Sequence, residues 1–316
     1  MKRYLDQKIK IRQLRAVAAI ASHGSLLSAA QALSMTQPAL TKTLRELEDT
    51  LGVRIFERHA RGVFPNDHGR LVAEAAHQIL NALSDLEEGF DRLEGRLAGS
   101  VVVGALPTAA AGVMPEVVRR LRASDPGISI RVIEDRTDEL ITLLILGEVD
   151  LVVGRLYPAG VDQDERLVRT PLYDEPMSLV VGAQHPLASA ETITVEDLAG
   201  YDLSTPISSF RIHADTVAFL SAYGLSAEEG VTTTSLTLLR ELLLTSTMIA
   251  VMPHLMLGGD VVRGAMKVLR LSPGRRSPPR PAGIIYRADR PLLPPARRLA
   301  AAIDDYCREI LARAPA

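Results

Sequence analysis

The stretch SLLSAAQALSMTQPALTKTLRELEDTLGVRIFER, residues 25–58, constrains the fold more than any other part of the chain. Two short helical patterns meet there at the break SMT, and leucines at positions 40, 44, 47 and 51 give the second pattern one apolar stripe. Ser25 is a suitable N-cap for the first helix and Thr36 for the second. Pro38 falls in the first turn of the second helix, where no backbone N–H is needed. The pattern predicts two helices joined by a tight turn.

The second helix carries polar residues that its apolar stripe does not require. With the leucines facing inward, Gln37, Thr41, Lys42 and Arg45 lie on the outer face, near the N-terminal half. Helix-turn-helix proteins present this part of the second helix to DNA. Glutamine can bond a base edge, and lysine and arginine can hold phosphates or guanine. The alternating and then basic segment VRIFERHARGVFPN, residues 53–66, predicts a wing that reaches the adjacent DNA backbone.

The charge distribution agrees with a polyanionic partner for this end of the chain. Residues 1–66 hold 11 Lys and Arg against 5 Asp and Glu, a balance of +6, so the rest of a chain of net charge −2 carries −8. Double-stranded promoter DNA is the predicted partner. The alternative is that the extra basic residues form only a solvated surface.

The next block, residues 67–97, has a sustained heptad pattern. Its apolar residues are spaced alternately by 4 and 3, at Val72, Ala76, Ile79, Leu83, Leu86, Phe90, Leu93 and Leu97. One apolar seam over more than three heptads predicts a long helix that pairs with a second copy of the chain. The predicted dimerisation residues are Ile79, Leu83, Leu86, Phe90 and Leu93. The alternative is that the seam packs against the chain's own core.

Beyond residue 97 the period changes to that of strands. The runs VVVGA, ISIRVIE and DLVVG alternate with helical patterns, which predicts a βαβαβ unit with a parallel sheet. A second set of strands and helices follows. We predict an effector domain, residues 98–316, in which about 98–161 and 268–316 form one α/β subdomain and about 162–267 the other. Ligands of such folds bind beyond the carboxyl ends of strands, here in the cleft between the subdomains.

The run GSLLSAAQALSMTQPALTKTLRELEDTLGVRIFERHARG resembles the DNA-binding signature of LysR-type transcriptional regulators over about 40 positions, and the remaining chain is similar to that family in length and order. The form TQPALTKTLRELEDTLGV further resembles the subgroup of the galactose-binding-protein regulator and the protocatechuate-catabolism activator. One departure is FPNDHG, where Pro65 and Asn66 replace the family's usual Leu-Thr. The candidate DNA-binding residues are Ser25, Thr36, Gln37, Pro38, Thr41, Lys42, Arg45 and, in the wing, Arg61.

The resemblance implies a winged helix-turn-helix domain (residues 1–66), a linker helix (67–97) and two α/β subdomains similar to type II periplasmic binding proteins. It also implies a homodimer or homotetramer that binds a small effector, such as a sugar, a sugar acid or an aromatic-catabolite acid, and RNA polymerase as a further partner. The family's pattern makes Arg155, Ser208 and Thr234 effector-binding candidates, beside Thr108.

Thr108 follows the first strand, at a helix N-terminus that favours an anionic or polar ligand. Its alternative role is helix capping alone. Three arginines in SPGRRSPPRPAG, residues 272–283, are predicted to lie in a solvated loop because proline and glycine surround them.

Several function classes lack support in the sequence. The charged start MKRYLDQKIKIRQLR leads into no apolar run, which predicts a cytoplasmic protein without a signal peptide or membrane span. No common catalytic motif occurs, the seven histidines have no metal-ligand spacing, and Cys307 is the single cysteine. We therefore expect no enzyme activity, no cofactor and no metal. A solute-binding protein that shares the C-terminal fold is the alternative, opposed by the basic N-terminal domain.

Overall fold

A computed structural model describes residues 5–59, 62–93, 99–157, 164–206, 210–225, 230–272, 274 and 280–313. The chain divides into two compact units, residues 1–97 with 145–148 and residues 98–144 with 149–316. None of the helices in the described ranges is both long and apolar enough to cross a lipid bilayer.

The first unit contains helices and one antiparallel hairpin. In chain order its elements are α1 Leu5–Lys8, α2 Ile11–His23, α3 Leu26–Ala32, α4 Gln37–Leu51, β1 Phe56–His59, β2 Gly62–Pro65 and α5 Asp67–Leu93. The predicted break between α3 and α4 is confirmed, and β1 and β2 pair with Phe56 opposite Pro65. This unit is a winged helix-turn-helix followed by a long helix.

Capping residues set the helix boundaries as the sequence predicts. Ser25 Oγ accepts a hydrogen bond from the Ser28 amide at 3.4 Å, and Thr36 Oγ1 accepts one from the Ala39 amide at 3.4 Å. Both bonds satisfy N–H groups that the first helical turn leaves without a partner. At the other end of α4, Gly52 takes the left-handed conformation with φ 73°, which a residue with a side chain rarely adopts.

The leucine stripe of α4 forms the centre of the first unit's core. Leu40, Leu44, Leu47 and Leu51 are all buried and pack with α2 and α3. Each contributes about 1.5–3 kcal/mol by leaving water. Because this stripe faces the core, the opposite side of α4 faces solvent.

The departure at residues 65 and 66 leaves the start of α5 intact. Asn66 Oδ1 accepts a hydrogen bond from the Gly69 amide at 2.9 Å, and its Nδ2 donates to the Arg54 carbonyl at 3.0 Å. A Cβ atom added to Gly69 would lie 1.9 Å from the Ile55 carbonyl oxygen. The helix therefore passes the wing strand at a distance that only glycine permits.

The second unit contains two five-stranded sheets with helices around them. Its elements are β3 Ser100–Ala105, α6 Pro107–Gly112, α7 Met114–Ser124, β4 Ser129–Glu134, α8 Thr137–Leu146, β5 Leu151–Arg155, β6 Leu167–Asp174, β7 Met177–Gly182, β8 Leu203–Pro206, α9 Phe210–Ala222, β9 Thr232–Thr233, α10 Leu236–Thr245, β10 Ile249–Pro253, α11 Gly258–Val262, β11 Met266–Leu269, β12 Pro281–Arg287 and α12 Pro294–Arg313. Short 3-10 helices occur at Pro186–Ser189, Glu196–Leu198 and His254–Leu257.

The first sheet has the strand order β4-β3-β5-β12-β6, and the second has the order β11-β7-β10-β8-β9. The predicted βαβαβ unit is confirmed, because β3 pairs in parallel with both β4 and β5. Each sheet has its own apolar core, which includes Val103 and Leu151 in the first and Leu179 and Val251 in the second. Cys307 of α12 is fully buried in the first core.

The predicted bounds of the two subdomains are wrong at both crossovers. The prediction assigned 162–267 to the second subdomain, but β6 pairs with β12 in the first sheet. It also assigned the chain from residue 268 to the first subdomain, but β11 pairs with β7 in the second sheet as far as Leu269. The alternation of apolar residues predicts a strand, and it carries no information on which of two similar sheets supplies the partner.

Candidate functional sites: a recognition helix, an apolar seam and a cleft

The solvent face of α4 carries the polar residues predicted to contact DNA. Gln37, Pro38, Lys42 and Arg45 are exposed, and Thr41 is half-buried. Thr36 and Ser25 precede α4 and α3 as their caps, so their hydroxyls already accept amide hydrogen bonds. This face offers an amide side chain near the helix N-terminus and two cations along one side, the groups that read base edges and hold phosphates.

Lys42 and Arg45 are the two cations on this face. Neither Lys42 nor Arg45 forms an ion pair with any residue in the described ranges. Thr41 and Arg45 also line an open groove between α4 and the hairpin, whose other lining residues include Glu48 and Asp49 of α4 and Glu57 of β1. These three acids repel phosphate, which favours phosphate contacts at Lys42, nearer the N-terminus of α4.

The wing is present as the hairpin of β1 and β2. Residues 60 and 61, between the two strands in the sequence, lie outside the described residues, so the predicted phosphate contact Arg61 stays a prediction.

The apolar seam of α5 reaches solvent in its second half. Ala76 is buried, whereas the exposed fractions further along are 44% for Ile79, 36% for Leu83, 56% for Leu86 and 58% for Phe90. The side chain of Leu93 lies outside the described residues. A row of large apolar side chains exposed at 3 and 4 spacing is typical of a helix that packs against another chain.

A cleft opens in the second unit beyond the carboxyl ends of β3 and β5. About 450 Å³ there is free of protein atoms, and this volume includes open solvent. Its lining residues come from both sheet subdomains and are Leu106, Pro107, Thr108, Arg136, Thr137, Arg155, Tyr157, Glu175, Met177, Asp215 and Pro253. Small-molecule sites combine apolar walls with a few convergent polar groups in this way.

Two of the four predicted effector residues lie in this cleft, namely Thr108 and Arg155. Thr108 is only 3% exposed and occupies the second position of α6, after the N-cap Leu106. Its side chain acts to lower the pKa of the Glu175 carboxyl, against the effect of burial. Thr108 is therefore not the capping residue that the sequence offered as the alternative.

Arg155 is held at the end of β5 by partners on two sides. Its Nη1 donates to Asp215 Oδ2 at 3.0 Å, and its guanidinium lies 5.3 Å from the centroid of the Tyr157 ring. A second arginine, Arg280, approaches the same carboxylate, with Nε 3.3 Å from Asp215 Oδ2. Arg155 and Arg280 thus flank one carboxylate, and Arg155 also lies against an aromatic face.

Glu175 is a second acid in the cleft, and it is buried. It accepts a hydrogen bond from the Tyr173 hydroxyl at 3.1 Å and is 4% exposed. Burial raises the pKa of Glu175 to about 7, although Tyr173, the charge of Arg155 and Thr108 act in the opposite direction. The carboxyl consequently changes charge near neutral pH.

Of the other two effector candidates, only Thr234 lies within the described residues, and it is not brought to the cleft. Thr234 follows β9, is exposed and is not among the lining residues. Ser208 lies outside the described residues, between β8 and α9. The effector contacts of both residues stay predictions.

Comparison with known protein families covers both units. A family described as "Bacterial regulatory helix-turn-helix protein, lysR family" matches residues 11–70. The LysR substrate binding domain matches residues 94–308, more than half of the chain.

The chain belongs to the LysR family of transcriptional regulators.

Curated LysR-family relatives extend over nearly the whole chain. The HTH-type transcriptional regulator PcaQ of Agrobacterium fabrum is 33% identical over 92% of this chain and 93% of its own. The transcriptional dual regulator OxyR of Escherichia coli K12 is 29% identical over 93% of this chain and 95% of its own. These relatives are DNA-binding regulators rather than enzymes. The protein is a DNA-binding transcriptional regulator with an effector-binding domain.

Solved structures show the same fold. A full-length OxyR variant from Pseudomonas aeruginosa has a TM-score of 0.65 at 24% identity and covers 95% of this chain and 95% of that chain. Full-length CbnR complexed with its target DNA has a TM-score of 0.61 at 20% identity and covers 94% and 99%. LysR regulators bind promoter DNA, take a small effector in the substrate-binding domain and oligomerise.

Sequence reasoning missed most of the charged residues of the cleft and misplaced one of them. Arg280 was predicted to lie in a solvated loop, but its side chain is only 3% exposed and contacts Asp215, so that prediction is wrong. Arg275 and Arg276 lie outside the described residues. Glu175 and Asp215 had no motif signal. Their positions, after β6 and within α9, become informative only when both sheets are in place.

Proposed function

We propose that this protein controls a catabolic or transport operon by coupling promoter binding through α4 to the binding of a small polar effector in the cleft. The observation that carries the proposal is the solvent face of α4, where Gln37, Lys42 and Arg45 are exposed and neither cation has an acidic partner among the described residues. The effector classes that fit are sugars, sugar acids and aromatic-catabolite acids. A cytoplasmic homodimer or homotetramer that also contacts RNA polymerase is part of the proposal.

A response to peroxide is a second candidate because several relatives are hydrogen peroxide-inducible genes activators. A thiol-based response requires an accessible thiolate. Cys307 is the single cysteine and is buried, and burial, together with Asp304, raises its pKa to about 12. A buried thiol with so high a pKa has little thiolate at neutral pH, and no second cysteine exists for an internal disulfide. These properties of Cys307 favour regulation by a bound effector over regulation by thiol oxidation.

A solute-binding role without DNA remains the alternative to regulation by this chain, and it is tested by DNA binding of the intact protein. The exposed side chains of Gln37 and Lys42 favour the regulatory role, since a solute-binding protein has no need of side chains that contact DNA.

For the base-reading role, we expect Gln37→Ala to reduce the preference for operator over random DNA. A bidentate contact of an amide side chain with adenine is worth about 1–3 kcal/mol. Lys42→Ala should instead weaken binding to both DNAs alike and reduce the salt dependence, since lysine contacts a phosphate. Fluorescence-anisotropy titrations with a selected operator and a scrambled duplex measure both effects. If Gln37→Ala keeps the wild-type ratio of the two affinities, Gln37 does not read a base.

For the effector role, a thermal-shift panel of sugars, sugar acids and aromatic ring-cleavage acids should contain compounds that raise the melting temperature of the wild type. We expect Thr108→Val to weaken a compound that hydrogen-bonds in the cleft by about 1–3 kcal/mol, because one polar group is left unpaired. Thr142→Val, at an exposed threonine of α8, is the matched control. If a compound that binds in the cleft has equal affinity for wild type and Thr108→Val, the Thr108 hydroxyl does not contact it.

A further inference from the structure

Asp215 is the point at which the two sheet subdomains are joined across the cleft by charge. It lies in α9, which follows β8 of the second sheet. Both arginines that reach it come from the first sheet, Arg155 from the end of β5 and Arg280 from the residue before β12. Arg155 Nη1 donates to Oδ2 at 3.0 Å, Arg280 Nε lies 3.3 Å from the same oxygen, and Arg280 Nη2 donates to the Asp215 carbonyl at 3.3 Å.

Two guanidinium groups, of Arg155 and Arg280, meet the single carboxylate of Asp215. The side chains of Arg155 and Arg280 are only 15% and 3% exposed, so both guanidinium groups are largely withdrawn from water. Arg155 Nε is buried and has no hydrogen-bond acceptor among the described residues. Glu175 is the other nearby acid, and one of its oxygens already accepts from Tyr173. A buried arginine with a free donor is costly unless an anion completes its coordination.

The donors of Arg155 and Arg280 that surround the Asp215 carboxylate form one anion-binding position, called the seat below. The chemistry of this position matches a carboxylate. A guanidinium presents its N–H donors in a planar fork that fits both oxygens of a carboxylate, and the Tyr157 ring beside Arg155 favours one orientation of that fork. A neutral hydroxyl accepts one such bond and leaves the positive charge unbalanced. The Asp215 carboxylate occupies this seat in the structure, and a ligand carboxylate of similar size fits the same donors.

We propose that the Asp215 carboxylate stands in for the effector's carboxylate, so that the effector is a small organic acid that displaces Asp215 from Arg155 and Arg280. This inference rests on the proposed role of the cleft as the effector site, and it narrows the effector to compounds with a carboxylate. Displacement breaks the charge bridge between α9 and the first sheet and exchanges it for a bridge through the ligand. The intramolecular bridge is thereby a built-in competitor that sets a threshold concentration for the effector.

The test is chemical rescue of the full-length Asp215→Ala variant by acetate. Removing the carboxylate takes away the acceptor that Arg155 and Arg280 share, so the melting temperature should fall by at least about 4 °C. Sodium acetate at high millimolar concentration should restore most of that loss, and it should shift the wild type by less than about 1 °C because Asp215 fills the seat. Acetamide, and sodium chloride at matched ionic strength, should restore none of it.

Three further variants make the result specific. Asp202→Ala removes an exposed acid from the same subdomain and should show neither the loss nor the rescue. Asp215→Asn keeps the side-chain volume and serves where the alanine variant does not fold. Asp215→Ala combined with Arg155→Gln should no longer respond to acetate. Equal effects of acetate and acetamide, or an undiminished acetate response in the double variant, would overturn the proposal.

Two pairs of larger probes test whether an effector-sized acid binds at the seat. They also distinguish an aromatic acid from a sugar acid. Benzoate is compared with benzamide, and gluconate with glucose, by calorimetry on wild type and Asp215→Asn. The acid of at least one pair should bind the variant about 10-fold more tightly or better, because its competitor is gone, while the neutral partner should be unaffected. Binding of only the neutral members, or of neither acid to either protein, would overturn the proposal. If the proposal is overturned in this way while the protein still binds operator DNA, the proposed regulatory function stands and only the role of the seat is lost.

Discussion

Leu86→Asp is expected to convert the protein into monomers that lose high-affinity operator binding. Leu86 is 56% exposed in the seam of α5, so the substitution places a charge in the proposed dimer interface and removes nothing from a core. A monomer reaches one half-site at a time, and losing the second contact lowers the apparent affinity by about 100-fold or more. Sedimentation velocity gives the oligomeric state, and an operator titration gives the affinity.

Ser84→Asp is the matched control for this substitution. Ser84 is exposed, lies two residues away on the same helix and points almost to the opposite side. The Ser84→Asp substitution adds the same charge outside the seam, so this variant should remain dimeric and bind operator as the wild type does. If Leu86→Asp stays dimeric while retaining a folded α5, another surface must hold the subunits together.

The parts of the fold that the sequence predicted are those governed by local rules. Ser25 and Thr36 mark helix starts because a hydroxyl can satisfy an orphan amide, and Gly52 marks a helix end because it tolerates a positive φ. The solvent face of α4 followed directly from its leucine period. Gln37, Lys42 and Arg45 were therefore placed correctly on an exposed face before any tertiary contact was known.

The cleft was only partly predictable because its residues converge from distant segments. Thr108 comes after β3 and Arg155 ends β5, and both line the cleft, as expected for the carboxyl ends of strands. Arg280 sits among prolines and glycine, which normally indicate a solvated loop, yet it pairs with Asp215 of α9 across 65 residues of sequence. No periodicity encodes a pairing between elements of two sheets. The same limit explains the misassigned β6 and β11, whose partners are chosen by tertiary packing.

Glu175→Gln is expected to stabilise the effector-binding domain above neutral pH and to have little effect near pH 4. Burial raises the pKa of Glu175 from its ordinary 4.5 to about 7 in the folded protein. Between these pH values the folded state keeps the proton and the unfolded state loses it, so the wild type loses stability as the pH rises. The full penalty is present above about pH 7 and amounts to about 3 kcal/mol. Glutamine imitates the protonated acid and keeps an acceptor for the Tyr173 hydroxyl.

The measurement is the melting temperature of wild type and Glu175→Gln from pH 4 to pH 9, where the difference should grow to roughly 6 °C or more on the alkaline side. Asp174→Asn, at the exposed neighbouring acid, is the control and should alter stability by at most about 0.5 kcal/mol at any pH. The other charges that face Glu175 are Arg155 and Asp215, and neither is changed in the variant. A stability difference that is constant over this range would mean that Glu175 does not titrate near neutrality. A melting-temperature difference that shrinks as the pH rises would mean that the folded protein stabilises ionised Glu175. The attraction between Glu175 and Arg155 would then exceed the cost of burying the charge.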